Sequence, residues 1–200
     1  PADRIGGQVL HVLDPAGIVD ESLTLSGRAV VARWLDDGSL VAMVAEPAGR
    51  PGGSAAELHV FEGGGARRVP VADLMGDVFG DCAAELADTY DNLVIPHGRS
   101  VIVRVGARGR LGVVVVDLDT DDVRTVLDGP RACTPVACVN ELLVFTRQAP
   151  DSYPELATVP LDRPGAPEQA LLTFAPEAGP RVDVERFAVE SADGWELDGW

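Results

Sequence analysis

Lysine is absent from this chain; all 16 basic residues are arginine. No Schiff-base lysine, Ser-Lys dyad or phosphate-binding P-loop lysine can be drawn from these residues. Positive charge is scarce too. Thirty-two acidic residues leave a formal net charge of −16, the wrong sign for a nucleic-acid backbone or an anionic membrane surface. Nucleic acid and membrane are therefore discounted as partners, and the acidic surplus reads as a solubilising surface. The three cysteines, Cys82, Cys133 and Cys138, form no Cys-x-x-Cys and have no matching His or Cys pair at zinc spacing. Buried thiols in a reducing cytoplasm are expected rather than a disulfide framework. No apolar run approaches the roughly 20 residues of a membrane-spanning helix. No secretion signal is visible, although a chain that starts at Pro1 leaves room for one upstream.

Aromatic residues make up only 5% of a chain that is 46% hydrophobic, so the core must be built from Val, Leu, Ala and Ile. Valine-rich runs favour strands. The pattern is one of short β-like runs separated by turn chemistry: Val9 to Leu13, Ala29 to Leu35, Leu40 to Ala45 and Leu58 to Phe61. Asp36-Asp37-Gly38-Ser39 is a strong hairpin signal between the second and third of these. Ser100 to Val105, Gly112 to Leu118 and Val123 to Leu127 read as a three-stranded meander. Glu141 to Arg147, Glu155 to Leu161, Gln169 to Phe174, and a closing hairpin of Phe187 to Ser191 with Glu196 to Trp200 follow. Only Val78 to Asp88 suits a short helix. Such spacing means an all-β architecture, with sandwich, barrel and propeller all open. A loose repeat tilts the choice toward a propeller. Trp34 to Gly38 and Ile95 to Arg99 each precede an apolar strand, a polar or Gly-rich loop and a second strand.

Few residues invite a chemical reading. His11, His59 and His97 are the available bases, and each lies in or beside a strand or turn, where an ordinary packed or surface histidine is expected. Asp117-Leu118-Asp119-Thr120-Asp121 could point alternate carboxylates at calcium, but Asp122 stands where the sharp glycine turn is needed. A turn in which Asp and Thr accept backbone N–H groups is the expectation. Gly63-Gly64-Gly65 and Gly106-Ala107-Arg108-Gly109 have no following helix and are not dinucleotide fingerprints. No catalytic, cofactor-binding or metal-ligating residue is assigned, and no cofactor is implied.

The last sixty residues carry a resemblance. Leu143-Val144-Phe145-Thr146-Arg147 followed by Tyr153-Pro154-Glu155-Leu156 resembles the late propeller segment of prolyl oligopeptidase-family serine peptidases of the acylaminoacyl-peptidase type. Leu172-Thr173-Phe174 is similar to that family's strand end, although Ala175 departs from its usual Asn. Glu185-Arg186-Phe187, then Ser191-Ala192-Asp193-Gly194-Trp195-Glu196-Leu197-Asp198-Gly199-Trp200, resembles the family's crossing into its α/β-hydrolase domain.

The resemblance implies several β-propeller blades of four antiparallel strands over 1–180, and over 181–200 a linker and the first strands of a catalytic domain lying beyond this chain. It also implies a parent that hydrolyses short or N-acylated peptides, with this part gating substrate access. Consistent with that division, no Gly-x-Ser-x-Gly elbow is present; Gly52-Gly53-Ser54-Ala55-Ala56 lacks the closing glycine. There is no Glu-Glu pair of the dipeptidyl-peptidase kind either. Partners expected on this reading are peptide substrates, the hydrolase domain and further copies of the chain. An uncovered Trp200 at the end of an open hairpin points the same way. The alternatives are a stand-alone propeller that binds partners without catalysis, and a hydrolytic β-sandwich.

Overall fold

A computed structural model describes residues 9–13, 19–25, 27–45, 56–63, 65–72, 74, 93–107, 110–174, 184–194 and 196–199. Among them there are strands and turns but no helix. The helix expected at Val78 to Asp88 lies outside the described residues.

The strands fall into four groups in chain order. β1 (Val9–Leu13) and β2 (Val19–Thr24) make a hairpin. β3 (Arg28–Trp34), β4 (Leu40–Ala45), β5 (Ala56–Glu62) and β6 (Gly65–Val69) form a four-stranded antiparallel meander. A second meander comprises β7 (Val94–His97), β8 (Ser100–Ala107), β9 (Arg110–Asp117) and β10 (Val123–Leu127). The third comprises β11 (Ala132–Val139), β12 (Leu142–Gln148), β13 (Glu155–Pro160) and β14 (Gln169–Thr173). The second and third are joined in one eight-stranded sheet, but only through a single parallel bridge between Ala132 and Leu111. β15 (Phe187–Glu190) and β16 (Glu196–Gly199) form the last hairpin.

Burial explains why the middle strands read as unbroken apolar runs. A strand covered on both faces needs no polar alternation. In β8 and β9, Val101, Val103, Val114 and Val116 pack toward the first meander, against Val41, Met43, Leu58 and Val60. Their neighbours Ile102, Val113 and Val115 pack the other way, against Leu143, Phe145, Ala157 and Val159 of the third. The alternate set in the first meander (Leu40, Ala42, Val44 and Phe61) meets Leu10 and Val12 of the β1–β2 hairpin. The three meanders are therefore stacked face to face, with the second in the middle.

Strands the sequence did not disclose are those whose composition argues against a strand. β6 is Gly-Ala-Arg-Arg-Val, an outer strand exposed along most of its length. β7 carries Pro96 and lies at the edge of its sheet, where a missing N–H costs no ladder bond. β11 carries Pro135 beside a register shift, another place a strand tolerates proline. β2 was likewise unread.

Candidate functional site

In a meander, the turns joining strands one to two and three to four lie at the same end. In the first meander that end carries the Asp36–Ser39 turn and Glu62-Gly63; in the second, Gly98-Arg99 and the Asp117–Asp122 turn; in the third, Asn140-Glu141. Most of the charged side chains singled out in the sequence gather here.

Asp37 builds the first turn. Its Oδ1 accepts the Ser39 backbone N–H at 3.0 Å and the Ser39 hydroxyl at 2.6 Å, while Gly38 adopts φ +83°. The Ser39 hydroxyl, the Ser39 N–H and then Arg99 hold the Asp37 carboxyl down to about 2. Arg99 reaches across the seam from the second meander. Its Nη2 donates to Glu62 Oε1 at 2.9 Å and to Asp119 Oδ1 at 2.7 Å. Its Nε also donates to Asp119 Oδ1, at 3.1 Å, and its Nη1 to Ser39 Oγ at 3.2 Å and to Asp37 Oδ2. Hydrogen bonding to Asp119, Glu62 and Asp37 drives the guanidinium further toward its charged form. A second clasp lies alongside, where Arg67 of β6 donates to Asp121 and to the Leu118 carbonyl.

The acidic turn is thus accounted for residue by residue. Asp117 Oδ1 accepts the backbone N–H groups of Asp119 and Thr120, both at 2.9 Å, and these bonds lower its pKa. Thr120 Oγ1 accepts the Asp122 N–H at 3.3 Å. Asp119 and Asp121 pair with different arginines. The carboxylates diverge instead of converging, and among the described residues no three His, Cys, Asp or Glu side chains are placed to hold one ion.

The three histidines are scattered. His11 Nδ1 lies 2.9 Å from Ser22 Oγ, and His59 Nε2 lies 3.1 Å from Glu57 Oε2. His97 joins the second and third meanders: its Nε2 is 3.0 Å from Glu141 Oε2 and its Nδ1 is 3.6 Å from Cys138 Sγ. These distances suit a thiol donating to Nδ1 and an Nε2–H donating to the carboxylate. Burial, then the Glu141 charge, pushes the Cys138 thiol up, away from the thiolate a nucleophile needs. Burial likewise lifts Cys133 to about 11. Both cysteines are free thiols, whereas Cys82 and the Gly52–Ala56 stretch lie outside the described residues.

On the third meander Glu168 is clamped by two arginines. Arg131 Nη1 donates to its Oε2 at 2.8 Å and Arg147 Nη1 to the same oxygen at 2.6 Å, while Arg147 Nε donates to Glu155 at 2.7 Å. Burial opposes ionisation of Glu168, but the two arginines outweigh it and its pKa is lowered.

One concave site opens on this end. Val12, Trp34, Leu40 and Phe61 line a cleft of about 350 Å³, with Asp37 and Glu62 at its charged side and Arg99 behind them. Trp34 is 56% exposed, an unusual position for an indole. Sequence reasoning took Trp34 and Arg99 as marks of the repeat and gave neither a site. The signal it lacked was the pairing of sheets that brings β3 and the β7–β8 turn together.

Neither a family model nor a curated protein matches this sequence. Solved structures do. Over 95% of this chain and 28% of the other, the fold matches puromycin hydrolase (an S511A mutant complexed with PGG) with a TM-score of 0.59 at 15% identity. The AtxE2 isopeptidase, an S527A variant with Astexin3-dC4 bound, matches over 80% and 23% of the two chains, with a TM-score of 0.49 and 13% identity. The β-propeller domain of the trilobed protease from Pyrococcus furiosus is a more distant neighbour, with a TM-score of 0.36 and 14% identity. The chain spans about a quarter of the length of the first two proteins. At 15% identity, the match to puromycin hydrolase speaks to the fold alone.

Proposed function

We propose that this chain is the propeller part of a serine peptidase of the prolyl oligopeptidase family, of the acylaminoacyl-peptidase type. It supplies walls and access to an active site carried elsewhere in the parent. The carrying observation is an order of parts. Stacked four-stranded meanders are followed by a separate hairpin, β15–β16, whose turn has Gly194 at φ +83° and its N–H donating to the Ser191 carbonyl at 2.9 Å. That turn and strand hold the Ser-x-Asp-Gly-x-x-Leu-x-Gly motif, with Val189 opposite Leu197 and Phe187 opposite Gly199. On this reading residues 1–180 are blades, and 181–200 lead into an α/β-hydrolase domain that contributes the Ser, His and Asp of catalysis.

Exposed apolar residues support a missing neighbour. Phe187, Val189 and Leu197 share one face of the hairpin and are all about half exposed, and a lone two-stranded hairpin is barely stable in water. Trp195 and Trp200 lie outside the described residues. The substrates of the parent are short or N-acylated peptides, with the blades excluding folded chains by size. The free Cys133 and Cys138 suit a reducing cytoplasm. No helix among the described residues is long and apolar enough to cross a membrane.

The test is the reading frame past Trp200. A Gly-x-Ser-x-Gly within the next couple of hundred codons, fluorophosphonate labelling of that serine and turnover of acyl-peptide anilides by the full product are expected, with no turnover by the 200-residue chain. A stop codon close after Trp200 overturns the reading. The cleft beside Trp34 would then favour the second one, a propeller that binds partners without catalysis.

A further inference from the structure

We propose that the Trp34 cleft binds the cationic end of a short peptide, an ammonium or guanidinium group on an apolar stem. The cleft's volume, about 350 Å³, lies at the lower end of small-molecule sites, enough for one or two residues. Its two halves differ in chemistry. Leu40 and Phe61 are buried beneath it and Val12 is half-buried, so an alkyl or aryl stem finds an apolar floor. The exposed indole of Trp34 adds the side chain best suited to attract a cation.

The charged half selects the sign of the ligand. Arg99 is no anion receptor, because its Nε, Nη1 and Nη2 already donate to Asp119, Asp37, Ser39 and Glu62. Three carboxylates surround this one guanidinium, so the corner stays net negative. Asp37 spends both oxygens, on Ser39 and on Arg99. Glu62 spends Oε1 on Arg99 and leaves Oε2 without a partner among the described residues. What the cleft offers a ligand is thus a carboxylate oxygen beside an aromatic ring, with the net charge of −16 drawing cations toward it at low salt. A neutral or anionic peptide end would meet the same apolar floor without that gain.

Calorimetry and tryptophan fluorescence on the 200-residue chain test this with three probes: phenylalaninamide (cationic), N-acetylphenylalaninamide (neutral) and N-acetylphenylalanine (anionic). The cation is expected to bind saturably and more weakly as salt rises, at least about tenfold tighter than the neutral probe, with no binding of the anion. Trp34→Leu keeps the apolar wall and should weaken the cation about tenfold while leaving the neutral probe unchanged. Glu62→Gln should weaken the cation several-fold and flatten its salt dependence. Because Trp34 is largely exposed, its substitution leaves the core intact, so it decides the question even if Glu62→Gln lowers stability through Arg99. Equal affinity for cation and neutral probe, indifference to Trp34→Leu, or no saturation up to about 10 mM overturns the proposal. None of these readouts involves hydrolysis, so this idea and the peptidase reading fail separately.

Discussion

Asp37 shows how a single side chain can serve both local and distant structure. One oxygen caps the β3–β4 turn through Ser39, and the other meets Arg99 from the next sheet. Its ordinary value of 3.8 is depressed to about 2, so the charged form is the one that fits the folded protein. Sign follows from that: its contribution is fully present above 3.8 and is lost as pH falls from there toward 2. Carboxyl NMR should place the Asp37 midpoint near 2, and Ser39→Ala, which removes the hydroxyl donor to its Oδ1, should move it toward 3.8. An unmoved midpoint in that variant would assign the shift to the Ser39 backbone N–H and Arg99 instead. Arg104 makes the opposite point about legibility. Within Val101-Ile102-Val103-Arg104-Val105 it reads as a solvent-facing strand residue, yet it is only 1% exposed and donates to Thr134 Oγ1 at 3.4 Å. Nothing in the local alternation distinguishes a guanidinium facing water from one facing another sheet.

At the scale of elements, close approach of backbones sets the strictest demand. A Cβ added at Gly112 on β9 would lie 2.7 Å from the Leu127 carbonyl oxygen of β10, beside the register shift between Thr125 and Leu127. Backbone cannot yield as a side-chain tip can. Gly112→Ala should therefore destabilise the chain by about 1–3 kcal/mol, read from urea unfolding, with early loss of amide protection along β10. Unchanged stability would mean that β10 is free to move away. Turn chemistry was the most legible feature at this scale. Asp-Gly at 37–38 and at 193–194 marks hairpins that the structure contains, because glycine reaches positive φ at no steric cost. The turn at Asn140-Glu141 was not read: both residues hold positive φ, 49° and 63°, and a glutamate there gives no warning. Its carbonyl accepts the Leu161 N–H at 2.7 Å and its carboxylate meets His97, contacts made only after the sheets have assembled.

For the whole molecule, stacking is what turns strands into a structure. The second meander is buried on both sides, whereas the third leaves Leu171, Leu172 and Phe174 exposed on and after its outer strand. Together with the β15–β16 hairpin these residues present more apolar surface than a solvated edge normally tolerates. The 200-residue chain should self-associate with rising concentration, and Leu171→Glu combined with Val189→Glu should shift that association about tenfold in concentration, measured by light scattering after size exclusion. A monomer at every concentration would show that these side chains are covered from within the chain.

The sequence by itself determined the class of structure: all-β, valine-built, punctuated by Asp-Gly turns, without lysine chemistry or a nucleophile elbow. These are local properties, set by side-chain volume, backbone freedom and the presence or absence of a functional group, and they survive in any tertiary arrangement. Tertiary structure decided the rest. The joining of Arg99 to Asp37, of Arg67 to Asp121 and of His97 to Glu141 spans 62, 54 and 44 residues. Such pairs depend on which sheet faces which, a choice made by the summed burial of apolar faces and not by any residue that later forms the contact. The Trp34 cleft arises the same way, from a hairpin and a meander that meet only when both have folded.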